Sequence, residues 1–167
     1  FVRANDNAAN IADNDASSVE VPYDEATRRI DRLQEAVRRH AGSRVARLSK
    51  SVSLDSLSRG RGSSNPGAAK SWQLTQELAR FFGQSVITFE NHTPRIFDFN
   101  GVSFEGDIYL NAKANRPAHV VFGHEFLHRL KAENQAAYEK LMDVIRPMIV
   151  NLDAFRKAEG IESHFST

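Results

Sequence analysis

The chain has 167 residues, a formal net charge of +1, and a hydrophobic content of 41%, which suits one domain with a real core plus an arm or tail. It has no cysteine, so disulfides and thiolate metal sites are excluded. No apolar run reaches the length of a membrane span, and the polar opening FVRANDNAANIADND has no signal-peptide core.

These absences point to an intracellular, cytoplasmic setting. A chain opening on Phe1 reads as a piece of something longer. The small net charge hides an asymmetry: residues 1–20 carry one arginine against four acids, and 21–61 carry ten basic residues against five acids. The basic excess therefore lies in one segment.

In chain order, residues 1–20 are rich in Asn, Asp, Ala and Ser without periodicity and are expected to be disordered. Pro22 and Asp24 open a basic amphipathic helix over 21–48, with Tyr23, Ile30, Leu33, Val37, Val45 and Leu48 near helical spacing and Gly42 as a break. Residues 49–66 are Ser- and Gly-rich and read as a linker. A compact domain follows over 67–167.

That domain opens with a helix presenting Trp72, Leu74, Leu78, Phe81 and Phe82, capped by Gly83. QSVITFE (84–90) and RIFDF (95–99) read as strands, with Asn100–Gly101 as a hairpin signal, and DIYLN (107–111) is a third strand. Pro117 starts a helix through HVVFGHEFLHRLKAE, and Asn134 caps another, which Pro147 interrupts. Phe81, Phe82, Phe89, Phe97 and Phe99 read as core, and Glu105 and Asp107 as turn carboxylates.

The chemistry lies in His124-Glu125-Phe126-Leu127-His128, an HExxH motif. Residues four apart on a helix share a face one turn apart, so both imidazoles can reach a single zinc ion. Glu125 projects to the neighbouring side, where it can act as general base on a metal-activated water and later protonate the leaving amine. The surrounding residues agree: Val121 and Phe122 lead in, Gly123 is small, and Phe126, Leu127 and Leu130 are apolar. Arg129 departs from the usual uncharged residue.

With these residues the chain resembles the zincin metallopeptidases. The stretch IYLNAKANRPAHVVFGHEFLHRL (108–130) looks like the strand–loop–helix unit of the minimal gluzincins of the ImmA/IrrE type. It also resembles peptidase-like domains of large phage and mobile-element polypeptides. The likeness covers roughly residues 67–150. It implies an α+β, zincin-like fold with an N-terminal helix and a small three-stranded, mostly antiparallel sheet. The HExxH helix and a further long helix complete it.

The resemblance also implies a zinc-dependent endopeptidase acting on an extended polypeptide, held along an edge strand for which DIYLN is the natural candidate. A catalytic zinc takes three protein ligands. The residue six after His128 is Asn134, which excludes the three-histidine subclass. The gluzincin pattern puts a Glu on a later helix. Glu159 leads there among Asp143, Asp153, Glu159, Glu162 and His164, and a ligand beyond Thr167 stays open.

His119 lies five residues before His124, on another side of the helix, and reads as a surface or capping residue. Tyr109 and Tyr138 read as core in preference to oxyanion donors. The alternative to the enzyme is a zincin-like scaffold that binds protein or nucleic acid without turnover. The arginines of 28–47 would supply phosphate contacts in the nucleic-acid case, although a solvated helix face explains them more simply.

Overall fold

A computed structural model of the chain describes residues 19–41, 46–61, 66–95 and 98–148. Its elements are helix α1 (Tyr23–Ala41), strand β1 (Leu48–Lys50), helices α2 (Leu54–Ser58) and α3 (Pro66–Phe81), and strands β2 (Val86–Asn91), β3 (Gly101–Phe104) and β4 (Asp107–Asn111). Helices α4 (Ala118–Glu133) and α5 (Gln135–Ile145) and a 3-10 turn (Arg146–Met148) follow. The chain divides into two compact units, residues 1–126 and 127–167.

The α+β class agrees with the sequence, but the sheet does not. Among the described residues it has four strands in the order β1-β2-β4-β3. β1–β2 and β3–β4 pair antiparallel, while the central pair β2–β4 is parallel. The expected three strands are corrected to four; two of the three pairings are antiparallel, as expected of a mostly antiparallel sheet, and the parallel central pair breaks the meander. The hairpin turn is Glu105–Gly106, and it folds β4 back between β2 and β3. Both turn residues have positive φ, 46° and 88°, the twist a two-residue turn requires. Asn100–Gly101 drew the expectation with better turn chemistry, yet Gly101 pairs inside β3 opposite Leu110. Of RIFDF, the described residues 95, 98 and 99 lie outside any strand, and 96–97 lie outside the described residues.

One face of the sheet is covered by α1. Ala26, Ile30, Leu33 and Val37 recur at helical spacing and pack with Ile87, Phe89 and Tyr109. Its charged side chains bind to the same unit. Arg29 bridges Glu25 (2.9 Å) and Asp107 (2.7 Å), and Arg32 reaches Glu105 (3.1 Å). Arg28 pairs with Glu25, Arg39 with Glu35, and Arg38 donates to the Ala46 carbonyl. Asp107 is therefore a buried partner of Arg29, where the sequence reading made it a turn carboxylate.

Hydrogen bonds from Arg29 and then Arg28 hold the Glu25 carboxyl down to about 2, against an ordinary 4.5. The folded value is depressed, so the stability it contributes is present above pH 4.5 and is lost as pH falls toward 2. Thermal melts across that window are expected to show a shallower acid decline for Glu25→Gln than for the parent chain. Identical declines would mean that these bonds add nothing to folding.

The segment expected to be a linker contributes to the core. It holds α2, whose Leu54 and Leu57 are buried beside Trp72, and most of β1, which takes Leu48 from the end of the helix expected over 21–48. Ser53 caps α2 by accepting the Ser56 N–H at 3.0 Å. Serines that suggested a flexible tether are here cap and turn residues around an apolar pair. Residues 62–65 lie outside the described residues, as do 1–18 and the Gly42 and Val45 positions.

Glu20 bridges Val86 and accepts from the Leu54 N–H (2.9 Å) and from Lys50 Nζ (3.3 Å). Lys50 also donates to Thr88 Oγ1 (2.7 Å). Burial pushes the Lys50 ammonium down from its usual value, and the Glu20 charge opposes the shift.

The other face of the sheet meets α2, α3 and α4 through Leu54, Leu57, Trp72, Ala79, Val86, Ile108, Leu110, Val121 and Phe122. Helix α3 ends as expected on Gly83 at φ 61°, with the Gln84 N–H bonded to Ala79 and the Gly83 N–H to Arg80. Phe89 is core and Phe99 stacks on it, whereas Phe81 and Phe82 are 81% and 40% exposed and are not core. Phe97 lies outside the described residues.

In the second unit, Asn134 caps α5 as expected by accepting the Ala137 N–H, and Pro147 falls in the 3-10 turn that ends the helix. Among the described residues, no helix is long and apolar enough to cross a membrane.

Candidate metal centre

Helix α4 carries the HExxH motif, and its start is tightly held. The turn before it is fastened by Asn111 Oδ1 accepting the Lys113 N–H (3.0 Å) and by Asn100 Oδ1 accepting the Asn115 N–H (3.3 Å). The Pro117 carbonyl accepts the N–H groups of Val120 and Val121 at 3.0 and 3.2 Å. Ser71 on α3 accepts the His119 N–H at 3.3 Å, and its hydroxyl lies 3.0 Å from His119 Nδ1. His119 is thus part of the clamp at the helix start.

Ala118, Val121 and Phe122 are buried, and Phe126 stacks between Phe122 and Phe82. That apolar stripe sets the rotation of the helix. At about 100° per residue, His124 and Glu125 fall roughly 60° and 40° to either side of Val121. His124 and His128 are exposed, and Glu125 is half-buried. An exposed imidazole pair one turn apart on a single helix suits a divalent metal that prefers nitrogen donors.

Gly123 has nothing within 4 Å of where a Cβ would stand, so packing does not require a small residue there.

Among the described residues, no group of three His, Cys, Asp or Glu side chains comes together. Glu159 lies outside the described residues, as do Asp153, Glu162 and His164. Asp143 is described, exposed, and paired with Arg146 at 3.4 Å. His124 and His128 are of the donor type that zinc takes, two imidazoles one turn apart on α4.

The edge assigned to DIYLN is corrected. β4 lies between β2 and β3, and all five of its residues are buried. Its apolar run marks an interior strand. The edge beside it is β3, GVSF, which carries no charge. Phe104 and Asp107 flank the two-residue turn and so form a fully bonded pair. Alternation from that pair turns the backbone N–H and C=O groups of Gly101 and Ser103 to the open side of the sheet. The bond from the Asn111 N–H to the Asn100 carbonyl, 2.8 Å, has the same phase.

Tyr109 is buried in the core, where its hydroxyl donates to the Arg29 carbonyl at 3.5 Å and burial pushes its pKa up. It serves packing, as read. Tyr138 is half-buried, with Lys131 Nζ 5.7 Å from its ring centre. Sequence reasoning missed two features that shape the centre: the Ser71–His119 clamp and the close approach of Gly101 to Val121. A small residue in an otherwise β-forming run was the available signal for the second. No protein-family model, curated protein or solved structure matches the chain.

Proposed function

We propose that the chain is a zinc-dependent endopeptidase of the zincin type. The observation that carries this reading is the HExxH motif on one continuous helix, whose first turn packs against β3, an edge strand among the described residues. His124 and His128 hold the metal, with Glu159 as the leading third donor. Zinc, when bound, lowers the pKa of the water it holds toward about 7 and polarises the scissile carbonyl. Glu125 takes up the proton released and returns it to the leaving amine. β3 aligns an extended polypeptide through the backbone groups of Gly101 and Ser103.

The alternative is a zincin-like scaffold that binds protein or nucleic acid without turnover. Its nucleic-acid form has less in its favour, because Arg28, Arg29, Arg32 and Arg39 are already paired with carboxylates of the same chain.

Zinc stoichiometry, measured after purification without chelator, tests the centre. A single zinc per chain is expected, lost in His124→Ala and in His128→Ala and weakened in Glu159→Ala. A parent chain that takes up no zinc even when it is added back would overturn a complete zinc centre within these 167 residues, leaving a ligand beyond Thr167 or a scaffold without chemistry.

A further inference from the structure

We infer that Gly101 is a positioning residue. Its missing side chain lets α4 settle onto the edge strand and so sets the reach of Glu125 to a peptide held on β3. This rests on the peptidase reading above.

A glycine in a strand needs a reason, since it weakens the strand and packs nothing. Backbone conformation is not the reason here. Among the described residues the glycines with positive φ are Gly60, Gly83 and Gly106, whereas Gly101 sits in register opposite Leu110. Space is the reason. A Cβ at Gly101 would stand 2.5 Å from Val121 Cγ1, 3.0 Å from the Tyr109 carbonyl oxygen and 3.3 Å from Leu110 Cδ2. Tyr109 and Leu110 belong to the buried central strand β4 and cannot withdraw. Val121 is buried and β-branched, and on a helix such a side chain has one strongly preferred rotamer. The separation between α4 and β3 must therefore grow.

Carbon atoms settle at about 3.5–4.0 Å, so relief requires a lift of roughly 1 Å at Val121. His124 and Glu125 follow on the next turn of the same helix and move with it. A general base works within about 2.6–3.2 Å of its proton, and a misplacement of about 1 Å can cost on the order of 100-fold in rate. Gly101 also belongs to the strand that would hold the substrate. The contact thus links the two parts whose separation decides the rate, while touching neither imidazole.

The test compares the parent chain with Gly101→Ala, Val121→Ala and the double variant. It measures zinc content, kcat and KM on a mixture of quenched-fluorescent peptides, and crystal structures of the folded forms. Gly101→Ala is expected to keep its zinc and its KM within a few-fold, to lose about 100-fold in kcat, and to show α4 raised from β3. Adding Val121→Ala is expected to restore at least a tenth of the lost rate and to lower the helix again.

Should Gly101→Ala fail to fold, the double variant is expected to fold, because the offending methyl is gone. An unmoved helix with unchanged kcat in Gly101→Ala would overturn the inference. So would a loss that the second substitution does not relieve. A parent chain without zinc or cleavage would instead defeat the peptidase reading, and the crystal structures would still decide whether Gly101 sets the height of the helix.

Discussion

Glu125→Gln is expected to abolish peptide cleavage while leaving the zinc content of the chain unchanged. The side chain that projects beside the imidazole pair is then neutral and cannot accept a proton. Removing a positioned acid–base group typically costs about 10²–10⁴-fold, which is about 3–5 kcal/mol of barrier at 1.36 kcal/mol per tenfold. Glutamine has nearly the same shape, and Glu125 is only half-buried, so the helix and its metal ligands should persist. His124→Ala should differ by losing zinc and cleavage together. The informative result is the split: zinc retained with cleavage gone marks Glu125 as base, distinct from ligand. Cleavage at the parental rate in Glu125→Gln would remove it from the chemistry and leave the motif as a binding feature.

How much of this was legible in the sequence differs by element. The HExxH helix was, because four-residue spacing, Pro117 before it and Asn134 after it are local signals that need no tertiary information. DIYLN emerged with the bounds expected of it, since an apolar β-forming run bounded by Gly106 and the 112–116 turn has few other uses. What was not legible was where that strand lies. Sheet order depends on which strand folds back over which, and the decision rests on a Glu–Gly turn of weaker local signal than the Asn–Gly nearby. Because DIYLN reads as a strand in either arrangement, its promotion to the edge was an error of topology, not of secondary structure.

Composition misled in the 49–66 stretch for a different reason. Serine and glycine content measures how polar a segment is on average, whereas Leu54 and Leu57 need only two positions to enter the core. The arginines of 28–47 keep to the simpler reading, a solvated helix face: Arg28, Arg32 and Arg39 are 70%, 57% and 75% exposed, with Glu25, Glu105 and Glu35 beside them. Arg29 is the exception, 29% exposed and paired with the enclosed Asp107. A third donor for the motif could not be read from the sequence, because nothing local distinguishes Glu159 from the other downstream acids, and Glu159 lies outside the described residues.

Arg29→Ala is expected to be the most destabilising of the charge deletions on α1. Asp107 is almost fully enclosed, with a side chain only 6% exposed, and its carboxylate takes Arg29 Nη1 at 2.7 Å. Removing the arginine leaves that charge buried without its partner, which typically costs about 3–5 kcal/mol. The lower end applies here, because Arg29 itself is 29% exposed and water can follow it in. Against a total stability of about 5–15 kcal/mol for a domain, that is enough to lower the urea midpoint substantially.

Arg32→Ala provides the contrast on the same helix. Arg32 and Glu105 are 57% and 49% exposed, and pairs of that kind contribute about 0–1 kcal/mol. The double variant Arg29→Met with Asp107→Leu is expected to recover most of the loss, since it removes the buried charge together with its partner. Urea unfolding of these variants ranks them directly. An Arg29→Ala variant no less stable than Arg32→Ala would show that Asp107 finds other solvation. Otherwise the pair is what fastens α1 to the hairpin, because Asp107 is the first residue after the Glu105–Gly106 turn and the same hairpin carries the open edge. Loosening it should then weaken peptide binding before the fold itself is lost, visible as a rise in KM at urea concentrations where the parent chain is unaffected.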